Sequence, residues 1–233
     1  GSFVSSKSQP YLDAGAAVVI GEPESFFQKN KAEILIEAGN KAFREETRGE
    51  VNTLPIPAWD LFLEKHSLKF GLFSMSKRMI PMLATRGCPY NCQEYCTYPL
   101  QQGRAVRNRD AHLIVDEMEY WATHNHCDLF IFRDPVFSIN RKFTEQLCKR
   151  IIEDKLDIVF LVETHLNNLD DELIKLLRKA GLKMVYVGVE SYESDVLKDI
   201  NRFTVSNDEQ FNVIKKLEDN NIIVKSMFMF GSP

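Results

Sequence analysis

Three of the five cysteines fall in one stretch, Arg86-Gly87-Cys88-Pro89-Tyr90-Asn91-Cys92-Gln93-Glu94-Tyr95-Cys96-Thr97-Tyr98-Pro99. Gly87 and Pro89 disfavour a helix through the first cysteine, so the stretch is predicted to be a loop. A loop that brings three thiols together is typical of a site for a soft metal. Iron–sulfur clusters are normally held by four thiolates, so three thiolates would leave one iron with an open position.

Two other interpretations of these cysteines stay open at this point. A structural zinc site would need a fourth ligand at short spacing, but no His or Cys follows Cys96 before His112. The second is a disulfide with one odd thiol, although nothing in the sequence indicates an oxidising compartment. The other cysteines, Cys127 and Cys148, lie in apolar segments and are expected to behave as small buried hydrophobes.

The composition limits the class of protein. With 233 residues, 44% hydrophobic content and a net charge of −4, the chain can bury one core and has no basic stripe for nucleic acid. No apolar run approaches the ~18 residues of a membrane-spanning helix. We find no signal peptide pattern, and Gly1-Ser2 is interpreted as an expression remnant. Five cysteines without a signal sequence predict reduced thiols and a cytoplasmic protein.

The N-terminal part of the sequence predicts too few elements for a core of its own. The apolar run Ala16–Ile20 predicts a strand, and Ser25–Ala38 has an interrupted amphipathic helical pattern. Residues 1–50 are therefore expected to be the C-terminal remnant of a preceding domain. Residues 51–79 are predicted to be a proline-containing linker, because Pro55 and Pro57 impose extended backbone.

From Ile80 onward, apolar strands alternate with amphipathic helices. The predicted strands are Ile80–Ala84, Leu129–Phe132, Ile158–Val162, Met184–Val189 and Ile222–Phe230. Helices are predicted to begin after Asp170 and after Ser206, where Glu209 completes a capping box. This alternation predicts βαβ units and a parallel sheet that curls toward a (β/α) barrel. The fold class is therefore α/β, with residues 80–233 forming a partial barrel that is open and truncated after the fifth strand.

Polar residues follow several of these strands. Arg133-Asp134 come after the second strand, Glu163-Thr164-His165 after the third, and Glu190-Ser191 after the fourth. Chemistry in such barrels takes place at the carboxyl ends of the strands, so these residues are candidates for a binding site. A single strand-end residue serves equally well as a helix cap or a solvent contact.

The cysteine spacing resembles that of a known family. Cys88-x3-Cys92-x3-Cys96 is similar to the radical S-adenosylmethionine (SAM) signature, Cys-x3-Cys-x-aromatic-Cys. The flanking run Thr85 to Cys92 resembles the branch whose members often have a cobalamin-binding domain. The second gap has three residues where the family has two, so Gln93 or Glu94 is interpreted as an insertion ahead of Tyr95. The resemblance implies that residues 80–233 are a barrel of the radical SAM type and that residues 1–50 end a cobalamin-type domain.

The resemblance also implies roles for individual residues. It makes Cys88, Cys92 and Cys96 the ligands of a 4Fe–4S cluster. It places Glu190 and Ser191 at the ribose and methionine parts of SAM, and Glu163 near the methionyl group. Tyr95 would lie near adenine, and Met229 to Gly231 would meet the adenine edge. Arg133, Asp134 and His165 are candidate substrate contacts.

These observations predict a radical SAM enzyme domain that cleaves SAM reductively to a 5′-deoxyadenosyl radical, for methylation or rearrangement of a small molecule. The family implies an electron donor such as a flavodoxin or ferredoxin, and cobalamin in the full-length protein only. This chain by itself is expected to be incomplete for turnover. One alternative is a non-catalytic or degenerate metal-binding scaffold of the same fold, which the widened cysteine gap favours. Another is a tRNA methylthiotransferase-like enzyme, which the acidic charge balance disfavours.

Overall fold

The computed structural model describes residues 7–30, 33–45, 48–63, 78–92 and 95–231. The interpretations of Gly1-Ser2 and of Gln93 or Glu94 lie outside the described residues, as does the end of the chain at Ser232-Pro233. The chain divides into two compact units. We call Gly1–Leu54 with Arg86–Arg107 the loop unit, and Pro55–Thr85 with Asn108–Pro233 the barrel unit.

The described strands are, in chain order, β1 (Val18–Gly21), β2 (Ala42–Glu45), β3 (Arg78–Met82), β4 (Thr85–Arg86), β5 (Arg107–Asn108), β6 (Cys127–Phe132), β7 (Val159–Thr164), β8 (Leu182–Glu190) and β9 (Ile223–Phe228). The described α-helices are α1 (Gln9–Asp13), α2 (Pro23–Lys29), α3 (Glu33–Glu37), α4 (Trp59–Leu63), α5 (Tyr98–Gln102), α6 (Ala111–Asn125), α7 (Arg141–Glu153), α8 (Asp171–Lys179), α9 (Ser194–Asp199) and α10 (Asn207–Asp219). Strands β4 and β5 pair with each other.

In the loop unit, β1 and β2 form a parallel pair and α2 packs on them through Phe26, whose ring lies 5.2 Å from that of Phe43. The helical pattern predicted over Ser25–Ala38 is found as two shorter helices, α2 and α3. The first one ends because Asn30 takes an extended conformation, and the Asn30 amide closes the last turn on the carbonyl of Phe26. The strand and the interrupted helix of the prediction are therefore both present.

The barrel unit contains a sheet whose five described strands run in the order β3-β6-β7-β8-β9, and all neighbours are parallel. Sequence neighbours are spatial neighbours throughout, and helices lie between them in the chain, which is the βαβ arrangement of a barrel. The predicted α/β fold with a parallel sheet is therefore confirmed. Each predicted strand is present, with ends that differ from the prediction by at most two residues.

Four helices of the barrel unit, α6, α7, α8 and α10, begin at side chains that accept the first free amide groups. Asp110, Asn140 and Asp170 each accept a hydrogen bond from a backbone amide two or three residues ahead. Ser206 and Glu209 form the predicted capping box at the start of α10. Within the described residues, none of the helices is both long enough and apolar enough to cross a membrane.

The sheet separates two apolar layers, because successive side chains of a strand point to opposite faces. On the face that packs against the helices, Phe132 lies 4.9 Å from Phe137 and 5.9 Å from Phe160, measured between ring centroids. All three rings are fully buried. The opposite face has a smaller buried cluster, formed by Leu129, Ile131, Leu161 and Met184.

The ring cluster gives a direct test of the core. We expect Phe160→Ala to lower the free energy of unfolding by about 3–5 kcal/mol, because the truncation leaves a cavity between fixed neighbours. Phe211→Ala is the matched control, since Phe211 is 67% exposed on α10, and its effect should stay within about 0.5 kcal/mol. Urea unfolding followed by circular dichroism measures both. Equal effects of the two substitutions would contradict this assignment of the core.

Candidate functional site

The cysteine loop follows β4 and is closed at its base by hydrogen bonds within the loop unit. The amide of Gly87 donates to Oε1 of Gln102 at 3.0 Å, and the amide of Cys88 donates to the carbonyl of Gly103 at 3.1 Å. Cys88 is buried, whereas Cys92 and Cys96 are half-buried, and none of the three is in a disulfide. Tyr95 is half-buried in a turn directly before Cys96. The predicted loop is therefore present, with its thiols outside any disulfide.

Gly87 is required by the geometry of the loop base. Its φ is +96°, in the region that favours glycine, and a Cβ added there would collide with the carbonyl of Ala105. The backbone on the two sides of the loop thus packs directly together. A larger residue at position 87 would force the chain apart immediately before Cys88.

Asp134 holds the backbone that leads into this loop. Its side chain is fully buried and accepts hydrogen bonds from the amides of Ala84 and Thr85 and from Oγ1 of Thr85, the last at 2.7 Å. Burial raises the pKa of Asp134 to about 6, although the hydrogen bonds from Thr85 and Ala84 lower it. Asp134, predicted as a candidate substrate contact, thus uses its carboxylate to fix the end of the segment after β3.

Polar side chains form one row across four neighbouring strands of the barrel unit. Glu163 on β7 pairs in register with Tyr186 on β8, and Tyr186 pairs with Lys225 on β9. Arg133 follows β6 two residues after the pair Ile131–Leu161, and its Nη1 lies 2.7 Å from Oε1 of Glu163. The ammonium of Lys225 lies 5.4 Å from the centre of the Tyr186 ring. We call Arg133, Glu163, Tyr186 and Lys225 the polar row.

The polar row lies one step beyond the apolar cluster on the same face of the sheet. Tyr186 contacts that cluster with its ring, and burial raises the pKa of its hydroxyl. The charge of Arg133 opposes this rise in pKa and the charge of Glu163 adds to it, so both charges act on the Tyr186 hydroxyl. The row thus offers two cations, one carboxylate and one hydroxyl on one face of the sheet.

Glu190 ends β8 in a backbone conformation that is unusual for its type. Its φ is +64°, and such positions are held in place by their surroundings and occur often at functional sites. Burial raises the pKa of its carboxyl group, and the charge of Arg202 partly opposes this shift. Arg202 also donates to the carbonyl of Gly188 at 2.6 Å. A Cβ on Gly188 would collide with the carboxylate of Glu190, so the glycine makes room for that side chain.

His165 lies at the end of β7, near the same guanidinium. Its Nε2 is 2.7 Å from the carbonyl of Phe203, and the imidazole is almost completely buried. Burial and the charge of Arg202 lower the pKa of His165 to about 4, so the ring is neutral near pH 7. Residues Arg202 and Phe203 thus connect the segment after α9 to the ends of both β7 and β8.

The remaining predicted residues lie after β8 and β9. The hydroxyl of Ser191 accepts a hydrogen bond from the amide of Glu193 at 3.1 Å. The amide of Met229 donates to the carbonyl of Glu190 at 3.0 Å, which brings these two predicted residues together. Gly231 is exposed with a φ of +78°. Among the predicted site residues, the structure therefore brings Arg133 into contact with Glu163, and Glu190 into contact with Met229.

Comparison with known proteins identifies the family. The model of the radical SAM superfamily matches residues 82–233. The chain belongs to the radical SAM superfamily. The predicted family is therefore confirmed, and the matched residues include the three cysteines, the polar row and Glu190.

Two curated radical SAM relatives show how much of a longer protein the chain spans. It is 26% identical to a bacteriochlorophyllide d C-12(1)-methyltransferase from Chlorobaculum tepidum, over 92% of this chain and 46% of the relative. It is 31% identical to an anaerobic magnesium-protoporphyrin IX monomethyl ester cyclase from Rubrivivax gelatinosus, over 70% of this chain and 29% of the relative. The chain thus spans less than half the length of either relative.

Two solved structures share the fold. One is the radical SAM methyltransferase TsrM from Kitasatospora setae, solved with cobalamin and a [4Fe-4S] cluster bound. It has a TM-score of 0.61 and 19% identity, and the match covers 67% of this chain and 32% of that chain. The other is the cobalamin-dependent radical SAM enzyme OxsB with aqua-cobalamin bound, with a TM-score of 0.64 and 14% identity, over 91% of this chain and 36% of that chain.

The cysteine loop fits an iron–sulfur cluster by the chemistry of its donors. Radical SAM proteins use SAM and a 4Fe–4S cluster, and three cysteines on one closed loop, none of them in a disulfide, are the donor set that such a cluster takes. Among the described residues, which include Cys88, Cys92 and Cys96, no three side chains of His, Cys, Asp or Glu gather closely enough to hold a metal ion, so the fit rests on the donor types alone. Gln93 and Glu94, between the second and third cysteines, lie outside those residues.

Sequence reasoning missed three residues that lie beside the predicted strand-end residues of the barrel unit. Tyr186 could have been found, since every second residue of β8 from Met184 to Gly188 shares one face. Lys225 interrupts the apolar pattern of the fifth strand, which is a weak signal. Nothing in the sequence pattern indicated Arg202, because its position depends on how the segment after α9 folds back.

Two buried groups of the barrel unit should give opposite pH dependences. With a pKa of about 6 instead of about 3.8, Asp134 holds a proton in the folded state that the unfolded chain has released, so it favours folding more at pH 4 than at pH 7. As the pH falls from 7 to 4, the free energy of unfolding of the wild type should therefore rise by about 2–3 kcal/mol relative to that of Asp134→Asn. Urea unfolding at several pH values measures this difference.

His165 provides the opposing comparison. Because its pKa is lowered from 6.5 to about 4, the unfolded chain binds a proton first as the pH falls, and the wild type should lose stability relative to His165→Gln. A difference between wild type and Asp134→Asn that does not change with pH would show that the carboxyl group is not buried in this way.

Proposed function

We propose that this chain is the cluster-binding and SAM-binding part of a radical SAM enzyme. The observation that carries the proposal is the closed loop that contains Cys88, Cys92 and Cys96, none of them in a disulfide, in a chain of this family. When bound, the cluster and SAM supply a reductive cleavage that yields methionine and a 5′-deoxyadenosyl radical. The protein contributes the binding, the orientation and the electrostatics of the site.

Two of the proposed ligands, Cys92 and Cys96, are less buried than the other two cysteines. Cys127 and Cys148 are fully buried, and burial raises the pKa of the Cys148 thiol to about 12. A thiol must be deprotonated to bind a metal, so Cys148 is a poor ligand. The half-buried thiols of Cys92 and Cys96 are accessible to iron and sulfide.

We assign the SAM contacts to strand ends and to the loop. Glu190 and Ser191 would hold the ribose and methionine parts, and Glu163 would lie near the methionyl group. Tyr95 would lie near adenine, with Met229 and Gly231 at the adenine edge. Two contacts support this assignment: Arg202 lies beside Glu190, and the hydrogen bond from Met229 joins the ends of β8 and β9.

We assign the substrate contacts to Arg133 and His165. Arg133 is 53% exposed and keeps donors beyond its pair with Glu163, so it can bind an acceptor on a ligand. His165 is neutral and packed against Phe203, which suits an apolar or uncharged part of a substrate better than an ionic one. Asp134 acts indirectly in this proposal, by fixing the backbone ahead of the cysteine loop.

The reaction proposed is methylation or rearrangement of a small molecule. Its support is that the curated relatives are named as a methyltransferase and a cyclase. We further propose a flavodoxin or ferredoxin as electron donor, a cytoplasmic location, and cobalamin as a cofactor of the full-length protein, as in the solved relatives that contain it. Residues 1–50 would then end a preceding domain and residues 51–79 would link it to the barrel.

The cysteine assignment is tested by anaerobic reconstitution. We expect about four irons and four sulfides per wild-type chain, because one cluster takes that number. Changing Cys88, Cys92 or Cys96 to Ala should each remove most of this content, since each variant loses one of three ligands. Iron and sulfide assays and the absorption spectrum of the cluster measure the outcome.

Cys127→Ala and Cys148→Ala are the matched controls for that experiment. Both remove a thiol from the same chain without touching the loop, so iron content should stay close to that of the wild type. Equal losses from the controls would mean that the ligands are wrongly assigned. A folded wild type that takes up no cluster would instead favour a scaffold without catalytic function.

The SAM assignment is tested at Glu190. We expect Glu190→Ala and Glu190→Gln to weaken SAM binding by roughly 1.5–3 kcal/mol, or about 10- to 150-fold, since a charge-assisted hydrogen bond is lost. Iron content should not change. Equilibrium binding to the cluster-loaded protein measures the affinity.

Glu193→Ala is the control for this test, because Glu193 lies three residues further on and is exposed. Its effect on SAM affinity should be less than about twofold. Wild-type affinity in a cluster-loaded Glu190→Gln variant would show that the Glu190 carboxylate does not bind SAM.

A further inference from the structure

We infer that Glu22 is a positioning residue for the cysteine loop: its buried carboxylate binds the arginines at both ends of that loop. The inference rests on the proposed function in one respect, namely that the loop holds a cluster. It goes further by giving a role in cluster binding to the N-terminal segment, far from the cysteines in sequence. Glu22, Arg86 and Arg107 all belong to the loop unit.

The ion pairs place Glu22 between the two arginines. Arg107 approaches the carboxylate with both Nη atoms, and the Nη1 hydrogen bond to Oε2 is 3.0 Å long. Nη1 of Arg86 lies 3.6 Å from the same Oε2. Arg86 is the last residue of β4 and Arg107 the first of β5, so one carboxylate binds the chain where it enters and where it leaves the loop.

Arg107 extends this contact into the loop itself. Its Nη2 donates to the carbonyl of Gln102 at 3.2 Å, and its Nη1 donates to the carbonyl of Gly49 at 2.9 Å. Gln102 in turn accepts the hydrogen bond from the amide of Gly87. A continuous chain of contacts therefore runs from Glu22, through Arg107 and Gln102, to the residue directly before Cys88.

Burial makes Glu22 the dominant member of this network. The Glu22 side chain is only 4% exposed, whereas the side chain of Glu24, which pairs with Arg86 at 2.5 Å, is 39% exposed. Removal of one partner from a buried ion pair leaves the other charge without compensation and disrupts structure strongly, whereas an exposed pair contributes little. Glu22 is the buried carboxylate that pairs with both arginines, whereas Glu24 pairs with Arg86.

Glu22 and Arg107 are both held in positions from which they can fix the ends of the cysteine loop. Glu22 lies between β1 and α2, so its backbone is fixed by a strand pair and a helix start. The fork of Arg107 matches a carboxylate with two parallel contacts, which fixes direction as well as distance. Three thiols can bind one cluster only if the loop brings them to one point. Anchoring both loop ends therefore reduces the conformational entropy that the loop loses when it binds the cluster.

The test uses amide hydrogen exchange on the cluster-free chain together with cluster retention on the reconstituted chain. In Glu22→Gln, exchange at the amides of Gly87 and Cys88 should be about 10-fold or more faster than in the wild type, since the hydrogen bonds of these two amides close the loop base. In the reconstituted variant, the cluster should be lost to a chelator about 10-fold faster, and the electron paramagnetic resonance spectrum of the reduced cluster should change shape.

Two matched controls separate this role from general stability. Glu45→Gln removes a carboxylate of the loop unit with similar burial that pairs with Lys29 at 2.9 Å instead of the loop arginines. Glu24→Gln removes the half-buried partner of Arg86 and leaves the contacts of Arg107 with Glu22 in place. Both should change exchange at the two loop amides by less than about threefold. Glu22→Asp keeps the charge and should recover part of the wild-type protection.

The outcomes distinguish the inference from the proposed function. Wild-type exchange and wild-type cluster retention in a folded Glu22→Gln chain would overturn the inference while leaving the proposed function intact. A wild type that binds no cluster would overturn the proposed function, and the exchange measurement would still decide whether Glu22 anchors the loop. If Glu22→Gln does not fold, Arg107→Lys replaces it: this variant keeps the charge but loses the fork, and should exchange about threefold or more faster at the same amides.

Discussion

A fully buried carboxylate, that of Asp134, fixes the point at which the barrel unit gives way to the cysteine loop. Backbone amides that leave a strand need acceptors when no water can reach them, and Asp134 satisfies two such amides and one hydroxyl at once. Asp134 lies two residues after the end of β6, and β6 pairs with β3, the strand that precedes the loop. A change in sheet register would therefore move the acceptor, and the loop would begin in a different place.

Much of the fold follows from patterns that act over short distances along the chain. Continuous apolar strands such as Leu129 to Phe132 and capping residues such as Asp170 depend on local sequence, and the structure has both. Local patterns do not predict whether an apolar side chain is buried, because burial depends on which element packs over it. Phe211 fits the apolar face of its helix by spacing, yet it is 67% exposed, because no described element packs over that part of α10.

The candidate site was predictable to the extent that it depends on strand ends. Arg133, Glu163 and Glu190 could be placed there because parallel strands end at a common edge. The partners of these residues could not be predicted, since they come from register and from segments that fold back. Lys225 becomes a neighbour of Tyr186 only through the pairing of β8 with β9, and Arg202 reaches Gly188 across a helix and a turn. Glu22 lies 64 positions before Arg86 in the sequence, a separation over which no local pattern acts.

Lys225 also has a consequence for how the protein behaves at high concentration. Strand β9 is at the edge of the five described strands, and Met227 and Phe228 on it are each about two-fifths exposed. An exposed apolar edge can pair with the same edge of another molecule, and a lysine in such a strand opposes this because two like charges would meet. Neutral substitutions at Lys225 would therefore promote self-association as well as alter the polar row. Solubility and ligand affinity would change together at this one position.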